Sequence, residues 1–284
     1  MTHQKTNQNR TGGSQLKGLL LHRGTRLKTR EEVFDVPAPE ATESWDPLSH
    51  ESFVTRMANR LAAEGISVNE ECLALSANGR RLFGLLELEM KGFVQRDYRF
   101  VLGLRNYYIP SYPSAVCVGA SFFDNLSFWT EISFDRDRAV NLSSDLGRFV
   151  AETVAVLPAK FLGQALVFEF YRRAHLTDRQ VHDLAIRFLD SLAIRATDIP
   201  RLLEAWRTPR QPEFAQADKT AWRLFNVATA IVQGDLWRLP LRTRIIHSVL
   251  DQERGLMRKA SACNEVALCL TRPPKQEPLT QLAQ

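Results

Sequence analysis

The apolar periodicity of this chain changes once, near residue 140, and that change constrains the fold more than any single motif. Upstream, apolar side chains alternate with a period of two; downstream they recur at helical spacing. ECLALS and RRLFGLLELEM flank Ala77-Asn78-Gly79, and Asn-Gly is a strong hairpin signal because both residues tolerate positive φ. YRFVLGLRN then places Tyr98, Phe100, Leu102 and Leu104 on one strand face and Arg99, Val101, Gly103 and Arg105 on the other. Pro110 and Pro113 interrupt the pattern, AVCVGASFF resumes it, Asp124-Asn125 turns it and SFWTEISF runs back. About five sequential strands in antiparallel order are expected over residues 67–138.

Before this block, Phe53, Met57 and Leu61 recur every four residues between Ser49, an N-cap residue type, and Gly65, a helix stop. After it, residues 142–258 read as helices: DLGRFVAETVAVL, AKFLGQALVFEFYRRA, DRQVHDLAIRFLDSLA capped by Thr177, IPRLLEAW, KTAWRLFNVATAIVQ and LRTRIIHSVLDQE. The fold class is therefore α+β: a β-meander preceded by one helix and followed by a helical array, not a doubly wound α/β sheet. One domain is expected over residues 47–270. It lies between a flexible arm, residues 1–46, with room for a short strand at LKGLLLHR, and a disordered tail, residues 271–284.

No apolar run approaches the roughly 18 to 20 residues of a membrane span, and the N-terminus lacks the apolar stretch of a signal peptide. A cytoplasmic protein with no membrane partner is the expectation. Cys72, Cys117, Cys263 and Cys269 match no zinc pattern and no disulfide framework, which suits free buried thiols. The net charge of +5 is unevenly spread. Residues 1–30 carry seven Lys or Arg and no acid, residues 31–79 ten acids and two bases, and residues 201–260 eleven bases and six acids. A basic arm and a basic C-terminal third suit a polyanion.

Phosphate-loop, dinucleotide-loop, zincin and serine-hydrolase signatures are all missing from the sequence. His175 and His182 are separated by a helix break, and His182 borders Val181, Ala185 and Leu189, which predicts a packed structural histidine. Glu89-Met90-Lys91 at a strand end has the carboxylate-x-lysine form of metal-dependent nucleases, where the carboxylate holds Mg²⁺ and the lysine steadies water or phosphate. Glu70 and Glu71 are the upstream carboxylates available. Asp135 and Asp137 read as a self-neutralising loop with their arginine neighbours.

The binding signal is the interleaving of Arg96, Arg99 and Arg105 with aromatic residues. Arginine neutralises phosphate and an exposed ring stacks on a base. Tyr98, Phe100, Phe122, Phe128 and Phe134 belong to the core. Tyr107, Tyr108 and Tyr112, around the prolines, are the candidates for stacking. The corner Arg105-Asn106, the Tyr-Pro loop and the Asp124-Asn125 turn are expected to meet at one end of the sheet. Arm residues Arg23, Arg26, Lys28 and Arg30 add phosphate contacts.

Four blocks in order, LGLRN (102–106), VGASFFDNLSFWTEI (118–132), VHDLAIRFLD (181–190) and TAWRLFNVATAIVQGD (220–235), resemble a phage- and plasmid-associated family described as a domain of unknown function. The resemblance covers residues 75–250 and implies carriage on mobile elements. It implies no chemistry. The expectation is a mobile-element accessory protein that binds nucleic acid, single-stranded DNA above all, without catalysis and without a cofactor. Two alternatives stand beside it. One is an Mg²⁺-dependent nuclease using Glu89 and Lys91; the other is an anti-defence module contacting a protein partner through acidic residues 31–79.

Overall fold

A computed structural model describes residues 25–93, 97–122, 125–134, 142–209, 218–233 and 238–253. Its strands β1 (Thr25–Lys28), β2 (Ser67–Ser76), β3 (Arg81–Glu89), β4 (Tyr98–Tyr107), β5 (Ser114–Phe122) and β6 (Asn125–Phe134) form one antiparallel sheet in chain order. The helices are α1 (Arg30–Phe34), α2 (His50–Ala63), α3 (Leu142–Arg173), α4 (Asp178–Asp190), α5 (Ile199–Arg207), α6 (Ala221–Val232) and α7 (Leu239–Glu253). The α+β class is as expected, with a sixth strand. Buried apolar side chains from Val33 to Leu250 make one continuous core.

The sixth strand comes from the segment read as a flexible arm, and this corrects the boundary at residue 46. Residues Thr25–Lys28 pair with Leu73–Ser76. Thr29 then caps α1 in a capping box closed by Glu32. Val33 within it, and Trp45 and Leu48 beyond it, are buried. So short a strand and a single capped turn carry almost no periodicity, which leaves polar composition as the dominant signal. The LKGLLLHR segment and the tail lie outside the described residues.

Period two accounts for most of the sheet. Leu73, Leu86, Phe100, Leu102, Leu104, Val116, Val118 and Phe122 are buried and register onto one face, which α2, α3 and α6 cover. Tyr98, Phe128 and Phe134 are buried too, as expected of all five core aromatics. Phe128 takes the other face because the β5–β6 register slips at Val118/Gly119. Its ring lies over Gly103 and Gly119 and meets Phe83 edge-on at 6.4 Å. A Cβ at Gly119 would stand 2.4 Å from that ring, so the strand needs glycine there for space.

The two helical stretches read on either side of Pro158 are one 32-residue helix. Proline inside a helix costs about 3 kcal/mol or more through its lost hydrogen bond and clash. Leu146, Val150, Val154, Leu157, Phe161, Phe168 and Tyr171 keep helical spacing straight through it, all buried, and this burial outweighs the cost. By length and composition α3 is also apolar enough to cross a membrane, contrary to the expectation that no run approached that length. A buried core helix passes the same test, and this stripe lies in the core.

A sheet's last strand leaves one row of N–H and C=O groups without a neighbour. Here two side chains stand in for a seventh strand. Gln233, at the end of α6, accepts from the Leu126 N–H at 3.0 Å and donates to the Leu126 carbonyl at 2.8 Å. Thr243 of α7 accepts from the Phe128 N–H at 2.9 Å and shares its one proton between the Phe128 and Leu239 carbonyls, each at 2.9 Å. Replacing Thr243 with Val, or Gln233 with Leu, leaves a buried donor and acceptor unpaired. Each change should lower unfolding free energy by about 1–3 kcal/mol in urea titrations. A decrease below a few tenths would show that the edge does not need them.

At the end of α4, Leu192 adopts φ 62° and is 79% exposed. A branched side chain is strained in left-handed backbone, and here no burial offsets the strain. Leu192→Gly should therefore stabilise by roughly 1 kcal/mol in the same assay.

Candidate functional site

Successive hairpins of a meander lie at opposite ends of the sheet, so only two of the three features expected to meet do so. The β4–β5 loop with Tyr112 follows Arg105-Asn106, whereas Asn125 pairs with Phe122 beside Tyr98 at the far end. Asp124 itself lies outside the described residues. Arg99 and Arg105 share a face, as period two requires, but six residues separate them by about 20 Å.

Each of these arginines has a carboxylate. Arg105 donates to Glu131 at 2.7 Å and to the Tyr107 hydroxyl at 3.1 Å, and the pair is mostly shielded from solvent. Beside it, burial pushes the pKa of the Cys117 thiol up, which keeps that sulfur protonated and unreactive. Arg99, more exposed, lies 3.5 Å from Glu87. Burial raises the pKa of Glu87, Arg99 partly offsets this, and Glu70 directly across the strand pair adds to it.

The neighbouring residues serve packing. Asn106 is fully buried and fully engaged: it donates to the Leu48 carbonyl at 2.7 Å and to His50 Nδ1 at 2.9 Å, and accepts from Ser114. Because Gly79 O can only accept, His50 carries its proton on Nε2. Tyr108 stacks on His50 at 4.0 Å, and its hydroxyl accepts from the His50 N–H and donates to Val36 O. Tyr107 is buried under Tyr112, ring centroids 5.4 Å apart. Of the three tyrosines only Tyr112, 49% exposed, presents a face to solvent. The stacking expectation is thus corrected for Tyr107 and Tyr108, whose hydroxyls find internal partners.

Glu89 and Lys91 stand exposed at the end of β3 and in the following turn. Ser67 lies opposite Glu89, so the adjacent strand brings no second carboxylate to it. No group of three His, Cys, Asp or Glu suited to a metal occurs among the described residues. Of the arm residues, Arg30 is bidentate with Glu71 and Lys28 pairs with Glu32 at 2.7 Å. Arg26 is exposed. Arg23, Arg96, Asp135, Asp137, Cys263 and Cys269 lie outside the described residues. Cys72 and Cys117 are buried thiols, as expected.

Two clusters escape a reading of the sequence. In the first, Ser127, His247, Tyr171, Gln164 and Asp251 connect β6, α3 and α7. Ser127 Oγ is 3.0 Å from His247 Nε2, and the Tyr171 hydroxyl donates to Asp251. The Gln164 amide N–H can only donate, which makes His247 Nδ1 an acceptor and puts the proton on Nε2, toward Ser127. A general base would need the reverse, and Ser127 is fully buried. The cluster holds helices to the sheet. Desolvation lowers the His247 pKa to about 3, so the ring stays neutral inside the fold.

The second cluster is cationic and lies where α4, α5 and α6 meet. The buried Trp206 donates from Nε1 to Asp178 at 2.9 Å, and Lys219 joins that carboxylate at 2.8 Å. Hydrogen bonds to Lys219 and Trp206 lower the Asp178 pKa. Arg207 donates to His182 Nε2 at 3.2 Å, so His182 is exposed and a partner of arginine, not the packed histidine expected. Arg223 lies over the Trp206 ring at 5.3 Å, and Arg172 over Trp222 at 4.3 Å. Arg173, Arg179 and Arg207 are exposed and form no salt bridge to a carboxylate of the described residues. A sequence signal exists: Ala-Trp-Arg occurs at 205–207 and again at 221–223.

Comparisons of this chain with protein-family models, with curated proteins and with solved structures find no match.

The His247 geometry gives a pH dependence. Unfolded histidine titrates near 6.5, and folded His247 near 3. Below pH 6.5 the unfolded chain binds a proton that the native ring refuses, so stability falls with pH until about 3. Burial of Asp251 raises its pKa and acts in the opposite direction. The His247→Gln variant isolates the histidine. Between pH 8 and pH 5, wild type should lose about 2 kcal/mol more than the variant in urea titrations. Equal losses would mean that the ring is protonated in the fold.

Proposed function

We propose that this protein binds nucleic acid without catalysing a reaction, as a cytoplasmic accessory protein of a phage or plasmid, with single-stranded DNA as its ligand. The observation that carries the reading is a group of exposed helical arginines that, unlike Arg148, Arg172, Arg187 and Arg195, have no carboxylate partner among the described residues. On the sheet and in the former arm, Arg30, Arg99 and Arg105 and Lys28 each have a carboxylate. In the helical half, Arg173, Arg179 and Arg207 are exposed without such a salt bridge among the described residues. Phosphate contacts therefore move from the sheet rim, where the sequence put them, to the ends of α3, α4 and α5. Arg26 and Tyr112 remain exposed as a further cation and a stacking surface. The four-block resemblance to a mobile-element family supports the setting.

Fluorescence anisotropy with labelled single- and double-stranded oligonucleotides, titrated in salt, tests the proposal. Log affinity should fall linearly with log salt. Replacing Arg173, Arg179 and Arg207 together by alanine should make that slope shallower by roughly one for each phosphate-binding arginine removed. Arg105→Ala should cost stability and leave the slope alone. Absence of binding at low salt would sink the proposal. Oligonucleotide shortening on adding Mg²⁺ would replace it with the nuclease reading.

A further inference from the structure

Arg223 is an anomaly inside the cationic cluster. It sits in the first turn of α6 and is only 4% exposed. One guanidinium nitrogen donates to the Arg207 carbonyl at 3.3 Å, while the buried Nε has no partner. It forms no salt bridge with a carboxylate of the described residues. Asp178, the acid whose charge reaches it, is already engaged by Trp206 and Lys219. Burial lowers the Arg223 pKa, the mark of a charge short of compensation. Leaving a buried ion unpaired is strongly unfavourable, so a counter-ion would be favoured there.

The backbone adds to the same need. α6 is twelve residues long, and its N-cap, Thr220, makes no side-chain capping bond. The Ala221 N–H is used by Ala174 O. The first-turn amides that follow it receive no side-chain cap, and they carry the positive end of the helix dipole. Helical side chains lean toward their N-terminus, which brings the Arg223 head group to this end. Arg207 and Lys219 are exposed at the rim.

We propose that the N-terminus of α6 is a discrete site for a phosphate-class oxyanion, with Arg223 beneath it and Arg207 and Lys219 at its rim. The anion is either free or the phosphate of a nucleic acid. The site goes beyond the nucleic-acid reading and stands whether or not that reading holds.

Thermal unfolding of the full chain in inorganic phosphate, against chloride at equal ionic strength, tests it. Tm should climb with the logarithm of phosphate concentration above the dissociation constant, and not with chloride. Arg223→Met should abolish the climb and leave the anion-free protein at least as stable. Should that variant not fold, Arg207→Ala and Lys219→Ala alter only the rim, and each should weaken phosphate binding roughly tenfold. Equal behaviour in phosphate and chloride overturns the site, as does an undiminished phosphate response in the rim variants. If phosphate at constant ionic strength displaces a bound oligonucleotide, the site takes nucleic-acid phosphate. Phosphate stabilisation without displacement, or with no oligonucleotide binding at all, assigns it to a free anion and leaves the nucleic-acid proposal to stand or fall separately.

Discussion

The ring of Phe168, near the C-terminal end of the buried stripe of α3, touches Tyr98 and Phe122 from the sheet, Trp222 and Phe225 from α6, and His247 from α7. The elements that close this side of the core meet there. A sheet with one apolar face needs a cover, and one long helix crossing it provides a second apolar surface on which later helices assemble. This arrangement also explains why α3 runs through Pro158: a break would separate Leu146 and Val150 from Phe161 and Phe168, and the cover would lose its register. The neutral His247 belongs to the same constraint. Surrounded by rings, it is oriented by hydrogen bonds to Ser127 and Gln164.

Arginine partners differ from place to place in the molecule. On the sheet, Arg99 meets Glu87 of the neighbouring strand, and Arg105 reaches past β5 to Glu131 on the same face. Several helical arginines lie against indole rings or extend into solvent. Arg148, Arg172, Arg187 and Arg195 have carboxylates of their own, so the charge a partner can still use is confined to a few exposed positions such as Arg173, Arg179 and Arg207.

How legible is this in the sequence? Strands and core aromatics are, because period two fixes which of Tyr98, Arg99, Phe100 and Val101 turns inward. The N-terminus of α2 is, because Ser49 and Gly65 bound its stripe. β1 is not, since four residues give no period to measure. Tyr107 and Tyr108 are misplaced because proline in a loop suggests exposure, whereas the hydroxyl partners that bury them, Arg105, His50 and Val36, are remote or of unknown orientation in a sequence. The failure of Arg105 and Asn125 to converge is readable: consecutive hairpins must alternate ends. The pairing of Arg223 with Trp206 spans elements whose relative placement no local pattern encodes, although the doubled Ala-Trp-Arg marks both partners.

The side chains that finish the sheet edge have a consequence in time. Leu126 waits for Gln233, 107 residues later, and Phe128 for Thr243, 115 residues later. At a synthesis rate of about 5–20 residues per second, the completed meander stands for roughly 5 to 20 seconds with β6 open to any passing strand. Nascent chains on one message are thereby exposed to pairing with each other through β6, and slow elongation between β6 and α7 would lengthen that interval. Helices α6 and α7 thus act on this protein much as a chaperone would: they end its stickiness, and they arrive long after the sheet.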